Sequence, residues 1–101
     1  MKVLFICNQN QHRSKTAEEI FRGRFETKSA GLYNLDPVTA SQLDWADIVI
    51  VMEDDQRAEI GRRFPKQYLS KRIISLGIPD QFHYRQHSLI QALNSKMDAL
   101  L

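Results

Sequence analysis

At 101 residues the chain is long enough for one hydrophobic core and too short for two, so a single domain over residues 1–101 is expected. Hydrophobic residues at 43% and charged residues at 26% are ordinary globular proportions, and a formal net charge of +2 is too small to argue for a nucleic-acid partner. The single cysteine excludes an intramolecular disulfide and the first apolar run is too short for a signal core or membrane span, so a cytoplasmic protein with no membrane partner is expected.

Val3-Leu4-Phe5-Ile6 reads as a buried strand at about 3–7. It runs directly into the polar stretch Cys7-Asn8-Gln9-Asn10-Gln11-His12-Arg13-Ser14. Ala17, Ile20, Phe21 and Phe25 then recur at helical spacing, giving a helix at about 15–25. A short second strand at about 27–30 is expected to close at Gly31, where a turn would use positive φ. This strand–helix–strand unit should cross over with the right hand.

Residues 32–37 read as loop. Thr39 followed three residues later by Gln42 fits a capping box that opens a short helix through Ala46, ended by Asp47. Ile48 to Met52 is apolar and β-branched, the pattern of a parallel strand covered on both faces. Glu53-Asp54-Asp55 supplies caps and negative charge for a helix at about 55–64, stopped by Pro65. Arg72 to Leu76 reads as the fourth strand, with Gly77-Ile78-Pro79-Asp80 as its exit loop. From about residue 86, Leu89, Ile90, Leu93, Met97, Leu100 and Leu101 trace the apolar stripe of a terminal helix. Arg62, Arg63, Lys66, Lys71 and Arg72 form a mild basic cluster, read as a solvated face. Strands alternating with helices imply a parallel sheet covered on both sides.

The stretch from Cys7 to Ser14 carries the chemistry. A loop entering a helix N-terminus offers backbone N–H groups and a favourable dipole to an anion. Such positions also stabilise a thiolate, the nucleophilic form of cysteine. Arg13 adds a planar fork that suits a tetrahedral oxyanion. Together these make a site for attack on a bound phosphate. The plainer alternatives are a buried core cysteine and a surface arginine at a helix start. Asn10 tolerates the left-handed backbone that an anion-cupping loop needs, or is a loop residue of no special role. Ser14 fits as an N-cap. Cys7, His12, His83 and His87 raise a metal reading. They lack motif spacing, and ligation by Cys7 and His12 would block the anion cup, so neither a metal nor another cofactor is expected.

Cys-x5-Arg-Ser after an N-terminal strand resembles the signature loop of the low-molecular-weight protein-tyrosine phosphatases. Asn10 stands where that family keeps an asparagine. Ser29-Ala30-Gly31 resembles its second-strand segment, Ile48-Val49-Ile50-Val51-Met52-Glu53 its third strand, and Pro79-Asp80 its general-acid loop. The likeness runs in order through most of the chain and is greatest to the short, predicted-phosphatase branch. Four departures stand beside it. Gln9 replaces the usual glycine, and His12 a frequent second cysteine. Asp80-Gln81-Phe82-His83-Tyr84 lacks the usual following proline. The segment between Gly31 and Ile48 is short.

The resemblance implies a three-layer α/β fold, with a flavodoxin-like four-stranded parallel sheet in the order 2-1-3-4 and helices on both faces. Ligands in such sheets bind beyond the carboxyl ends of the strands at the switch point, and both Cys7 and Asp80 follow strands at that edge. It further implies a metal-independent phosphomonoester hydrolase, above all a protein-tyrosine phosphatase acting through phosphocysteine. Cys7 would be the nucleophile, Arg13 the phosphate clamp and Asp80 the general acid. Asn8, Gln9, Asn10, Gln11, His12 and Ser14 would bind the phosphate, with Ser14 also bonded to the Cys7 sulfur. Phe82, Tyr84 and Tyr33 would wall an aryl ring. Asp80 also suits a plain turn after Pro79, and each aromatic alone suits a core. Expected partners are phosphorylated proteins or small phosphomonoesters, with phosphate- or sulfate-type anions in the loop.

Two rivals share the scaffold. Arsenate reductases need a relay of further cysteines, and phosphocysteine carriers of sugar uptake do not rely on this arginine. A rival of another class is a catalytically weak module that binds phosphate or phosphotyrosine, suggested by Gln9 and the short middle segment.

Overall fold

Four parallel strands, β1 (Lys2–Cys7), β2 (Glu26–Gly31), β3 (Ile48–Val51) and β4 (Arg72–Ser75), form a sheet in the order β2-β1-β3-β4. The computed structural model describes residues 1–100, so Leu101 of the expected apolar stripe lies outside the described residues. The central strands β1 and β3 are continuously apolar because both of their faces are covered. Val3 and Phe5 point into a core with Phe21, Met52, Leu89 and Leu93, beneath α1 (Arg13–Ile20) and the last helix. Leu4 and Ile6 point the other way, to Leu43 and Ile60 on α2 (Ala40–Trp45) and α3 (Asp54–Arg63). Truncating any of these fully buried aliphatic side chains to alanine costs about 2–5 kcal/mol.

The terminal helix stripe is realised in part in α5 (His87–Leu100, after α4, described below): Leu89, Leu93 and Met97 are buried, Ile90 is half-buried, and Leu100 at the helix end is exposed. The Thr39 capping box is present. Gln42 N–H donates to the threonine hydroxyl at 3.2 Å, and Thr39 N–H to the glutamine carbonyl at 2.9 Å. Among the described residues no helix is long and apolar enough to cross a membrane.

Four local expectations change. The first helix ends at Ile20, and residues 21–24 form a turn in which Arg24 and Phe25 both donate to the Phe21 carbonyl. Gly23, a poor helix residue, lies in that turn, and Phe25 reaches the core from beyond the helix. Gly31 belongs to β2 and has no positive φ; the glycine that has one is Gly77, at 69°. Pro65 not only stops α3 but opens a further helix, α4 (Pro65–Ser70), at the position where a missing N–H costs nothing. The basic cluster is partly tied down. Arg62 and Arg63 both bond to Glu59, and Lys71 donates to the carbonyls of Asp44 and Ala46.

Candidate active site

Cys7 ends β1 at the centre of the sheet's carboxyl edge and is buried. The loop that follows is pinned to the exit of β2, because Leu32 and Tyr33 both donate backbone N–H to the Asn8 carbonyl, at 3.0 and 2.8 Å. This is why residue 31 is glycine. A β-carbon there would lie 2.6 Å from Asn34 Oδ1 and 3.0 Å from the Asn8 carbonyl oxygen. Close approach of the Asn34 side chain, and then of the Asn8 backbone, sets the requirement rather than a turn conformation. From the other side Gln56, itself buried, donates from Nε2 to Asn8 Oδ1 at 3.0 Å. Its carbonyl oxygen accepts the N–H groups of Met52 and Glu53 at 2.8 and 3.0 Å.

The loop turns back over the sulfur at Asn10, whose φ of 54° is the left-handed conformation that asparagine tolerates. Its N–H thereby donates to Cys7 Sγ at 3.3 Å. Ser14 Oγ lies 3.0 Å from the same sulfur and donates to Asn10 Oδ1 at 2.8 Å. The Ser14 hydroxyl is thus placed between the Cys7 sulfur and the Asn10 side chain, within hydrogen-bond reach of both.

Arg13 is 2% exposed. Its Nη1 donates to Glu53 Oε1 at 2.5 Å and to the Ile78 carbonyl at 2.7 Å, which uses both of that nitrogen's hydrogens. The Nε and Nη2 edge remains for two oxygens of a tetrahedral anion. Nη2 lies 3.8 Å from Asp80 Oδ1, and Asp80 stands at the rim, 62% exposed. Cys7, Arg13 and Asp80 share a pocket of about 230 Å³ with Asn8, Gln9, Gln11 and His12. Asn10 and Ser14 lie behind it, bonded to the sulfur.

The aryl walls are not brought to this pocket. Phe82 is half-buried and packs on the core beneath α1 and α5, where its ring leaves water. Tyr84 turns along α1 and donates its hydroxyl to Glu19 Oε1 at 2.5 Å. That bond, and next the one from Arg85, holds the Glu19 carboxyl below its usual range; the bond to Glu19 also holds the Tyr84 hydroxyl above its own, against the opposing pull of Arg85. Tyr33 lies on an adjacent open groove with Gln9, Gln11 and Leu35, its ring 5.0 Å from the Arg63 guanidinium. His83 meets His12 edge-on, with ring centroids 6.0 Å apart, and His87 opens α5.

Glu53 and Gln56 were not among the residues expected at the site. In the sequence they have the three-residue spacing of a helix start, and nothing local ties Glu53 to an arginine 40 positions earlier.

No protein-family model and no curated protein sequence matches the chain. Solved structures do. The tyrosine phosphatase Wzb from Escherichia coli K30, in complex with phosphate, superposes with a TM-score of 0.80 at 21% identity, over 98% of this chain and 94% of that one. The YwlE arginine phosphatase from Geobacillus stearothermophilus gives 0.76 at 19% identity, over 96% and 86%. A low molecular weight protein tyrosine phosphatase from T. tengcongensis gives 0.76 at 19% identity, over 100% and 99%. The shared sheet order and near-complete coverage of both chains lead to one structural conclusion: this chain has the fold of the low-molecular-weight protein tyrosine phosphatases.

Proposed function

We propose that this protein is a cysteine-dependent, metal-independent phosphomonoester hydrolase of the reducing cytoplasm, with phosphotyrosine proteins as its foremost substrates. One observation carries the reading. The Cys7 sulfur receives the Asn10 N–H at the base of a cup whose walls hold the free edge of Arg13 and the carboxylate of Asp80. An inert core cysteine has no need of such an arrangement.

In the first step the Cys7 thiolate, its proton already released to solvent, attacks phosphorus and the ester P–O bond breaks, while Asp80 gives its proton to the departing oxygen. Arg13 and the loop N–H groups hold the phosphoryl oxygens as charge builds on them. In the second step Asp80 takes a proton from water, the water oxygen attacks phosphorus, and the S–P bond breaks. Its electron pair returns to sulfur as the thiolate, to which the Ser14 hydroxyl donates a hydrogen bond, and inorganic phosphate leaves.

A second substrate has an observation in its favour. Besides Cys7, Arg13 and Asp80, the pocket is lined by Asn8, Gln9, Gln11 and His12, with Phe82 and Tyr84 turned elsewhere. That polar lining suits a guanidinium leaving group, as in phosphoarginine, and one structure of similar fold is an arginine phosphatase. Phosphate release from phosphotyrosine, phosphoarginine and phosphoserine peptides tests the proposal. Turnover of phosphotyrosine supports it, turnover of phosphoarginine alone moves the substrate, and tight binding without release makes the chain a phosphate-binding module.

A further inference from the structure

Residues 83–86 are fastened to α1 along one stripe. Tyr84 N–H donates to His12 Nδ1 at 3.1 Å, and Arg85 N–H to Thr16 Oγ1 at 2.9 Å. Arg85 also reaches Glu19 with its guanidinium at 2.8 Å. Positions 12, 16 and 19 follow one another at helical spacing. Arg85 itself sits at φ 55°, a conformation that a residue with a β-carbon keeps only where its surroundings hold it. On the other side of Asp80, Ile78 is fixed through its N–H on the Met52 carbonyl at 2.7 Å and its own carbonyl on Arg13. Asp80 therefore rides on a short span between two anchors, one at Arg13 and one at His12. These are consecutive residues of the phosphate loop.

Resting on the phosphatase reading above, we infer that His12 is a positioning residue that holds the Asp80 loop at the correct height over the bound phosphate. His12 precedes Arg13 at the N-cap of α1, yet its side chain makes no cap bond there. Its ring instead accepts a hydrogen bond from a backbone group 72 residues away. The accepting nitrogen is Nδ1, so the neutral ring carries its proton on Nε2. The two loops that must meet at the phosphorus are thus joined by one side-chain bond, besides the Arg13 contact that also serves the anion. Without it the span carrying Asp80 loses the bond that ties its following end to the phosphate loop, and an acid displaced by an ångström protonates poorly.

The role separates from a merely structural one by its dependence on the leaving group. The experiment measures kcat and KM of the full chain on phenyl phosphate, a poor leaving group, and on p-nitrophenyl phosphate, a good one. His12→Ala should lose about tenfold or more in kcat on phenyl phosphate, and no more than about threefold on p-nitrophenyl phosphate. His12→Asn should recover most of the loss, because its Oδ1 stands where Nδ1 stood and accepts the same N–H. Hydrogen exchange of the Tyr84 amide should quicken in the alanine variant and slow again in the asparagine one. Equal losses on both esters, no rescue by asparagine, or wild-type kcat in the alanine variant would each overturn the inference while leaving the phosphatase reading intact. A wild-type protein that hydrolyses neither ester would overturn both.

Discussion

Arg13 is held from across the sheet by Glu53, the residue that precedes α3, at 2.5 Å between Nη1 and Oε1. The pair fixes which edge of the guanidinium faces the pocket. A buried arginine with no partner is costly, so Glu53 contributes to stability, and on the proposed function the same bond orients Arg13 towards the anion.

Glu53→Ala should destabilise the fold by about 2–3 kcal/mol, below the 3–5 of a wholly enclosed pair because the Glu53 side chain is one-third exposed. Urea unfolding followed by the fluorescence of Trp45 measures it. Activity should fall by about tenfold or more as the fork loses its orientation, and Glu53→Gln, which keeps the acceptor, should lose less on both counts.

Asp80→Asn should slow hydrolysis of esters with poor leaving groups by about a hundredfold or more, within the usual range for general acid catalysis. Esters that need little protonation should suffer less. A plot of log kcat against leaving-group pKa checks this, and an unchanged slope would make Asp80 a turn residue.

The strands and the Cys7–Arg13 loop between β1 and α1 were legible because their signals are local. β1 and β3 are short apolar runs, and Cys7 stands five residues before Arg13 at a strand exit. What the sequence hid depends on tertiary neighbours. Phe82 and Tyr84 follow Asp80 as pocket walls would, but a core surface claims one and Glu19 the other. Glu53 has the appearance of a cap, and its pairing with Arg13 exists only once β3 lies beside β1. The reason for Gly31 was equally invisible, since it lies in the Asn34 side chain and the Asn8 carbonyl that the fold brings against it.

That close approach separates two glycines. Gly31→Ala places a β-carbon 3.0 Å from a backbone oxygen of the phosphate loop, so it should cost about 1–3 kcal/mol and reduce activity as the loop shifts. At Gly23 a β-carbon meets nothing within 4 Å, and alanine should be neutral or stabilise by about 0.4–1 kcal/mol. Thermal melts and phosphate release on the two variants check the contrast.

Acid should weaken the fold in a defined window. The Glu59 carboxyl is lowered from 4.5 to about 2, chiefly by its hydrogen bond to Arg62 and next by that to Arg63. A depressed carboxyl contributes fully above its unfolded value, so this contribution is present above pH 4.5 and is lost as pH falls towards about 2. The urea midpoint of Glu59→Gln should therefore fall less steeply across that interval than that of the wild type.

The central claim is that phosphate passes through the Cys7 sulfur. Rapid acid quench of a single turnover with a radiolabelled phosphopeptide measures this directly, with the label located by peptide mapping. A phosphoryl group should appear on Cys7 and decay at the rate of phosphate release, and Cys7→Ala should form none and release none. Phosphate release with no labelled protein, or undiminished release by Cys7→Ala, would contradict the account.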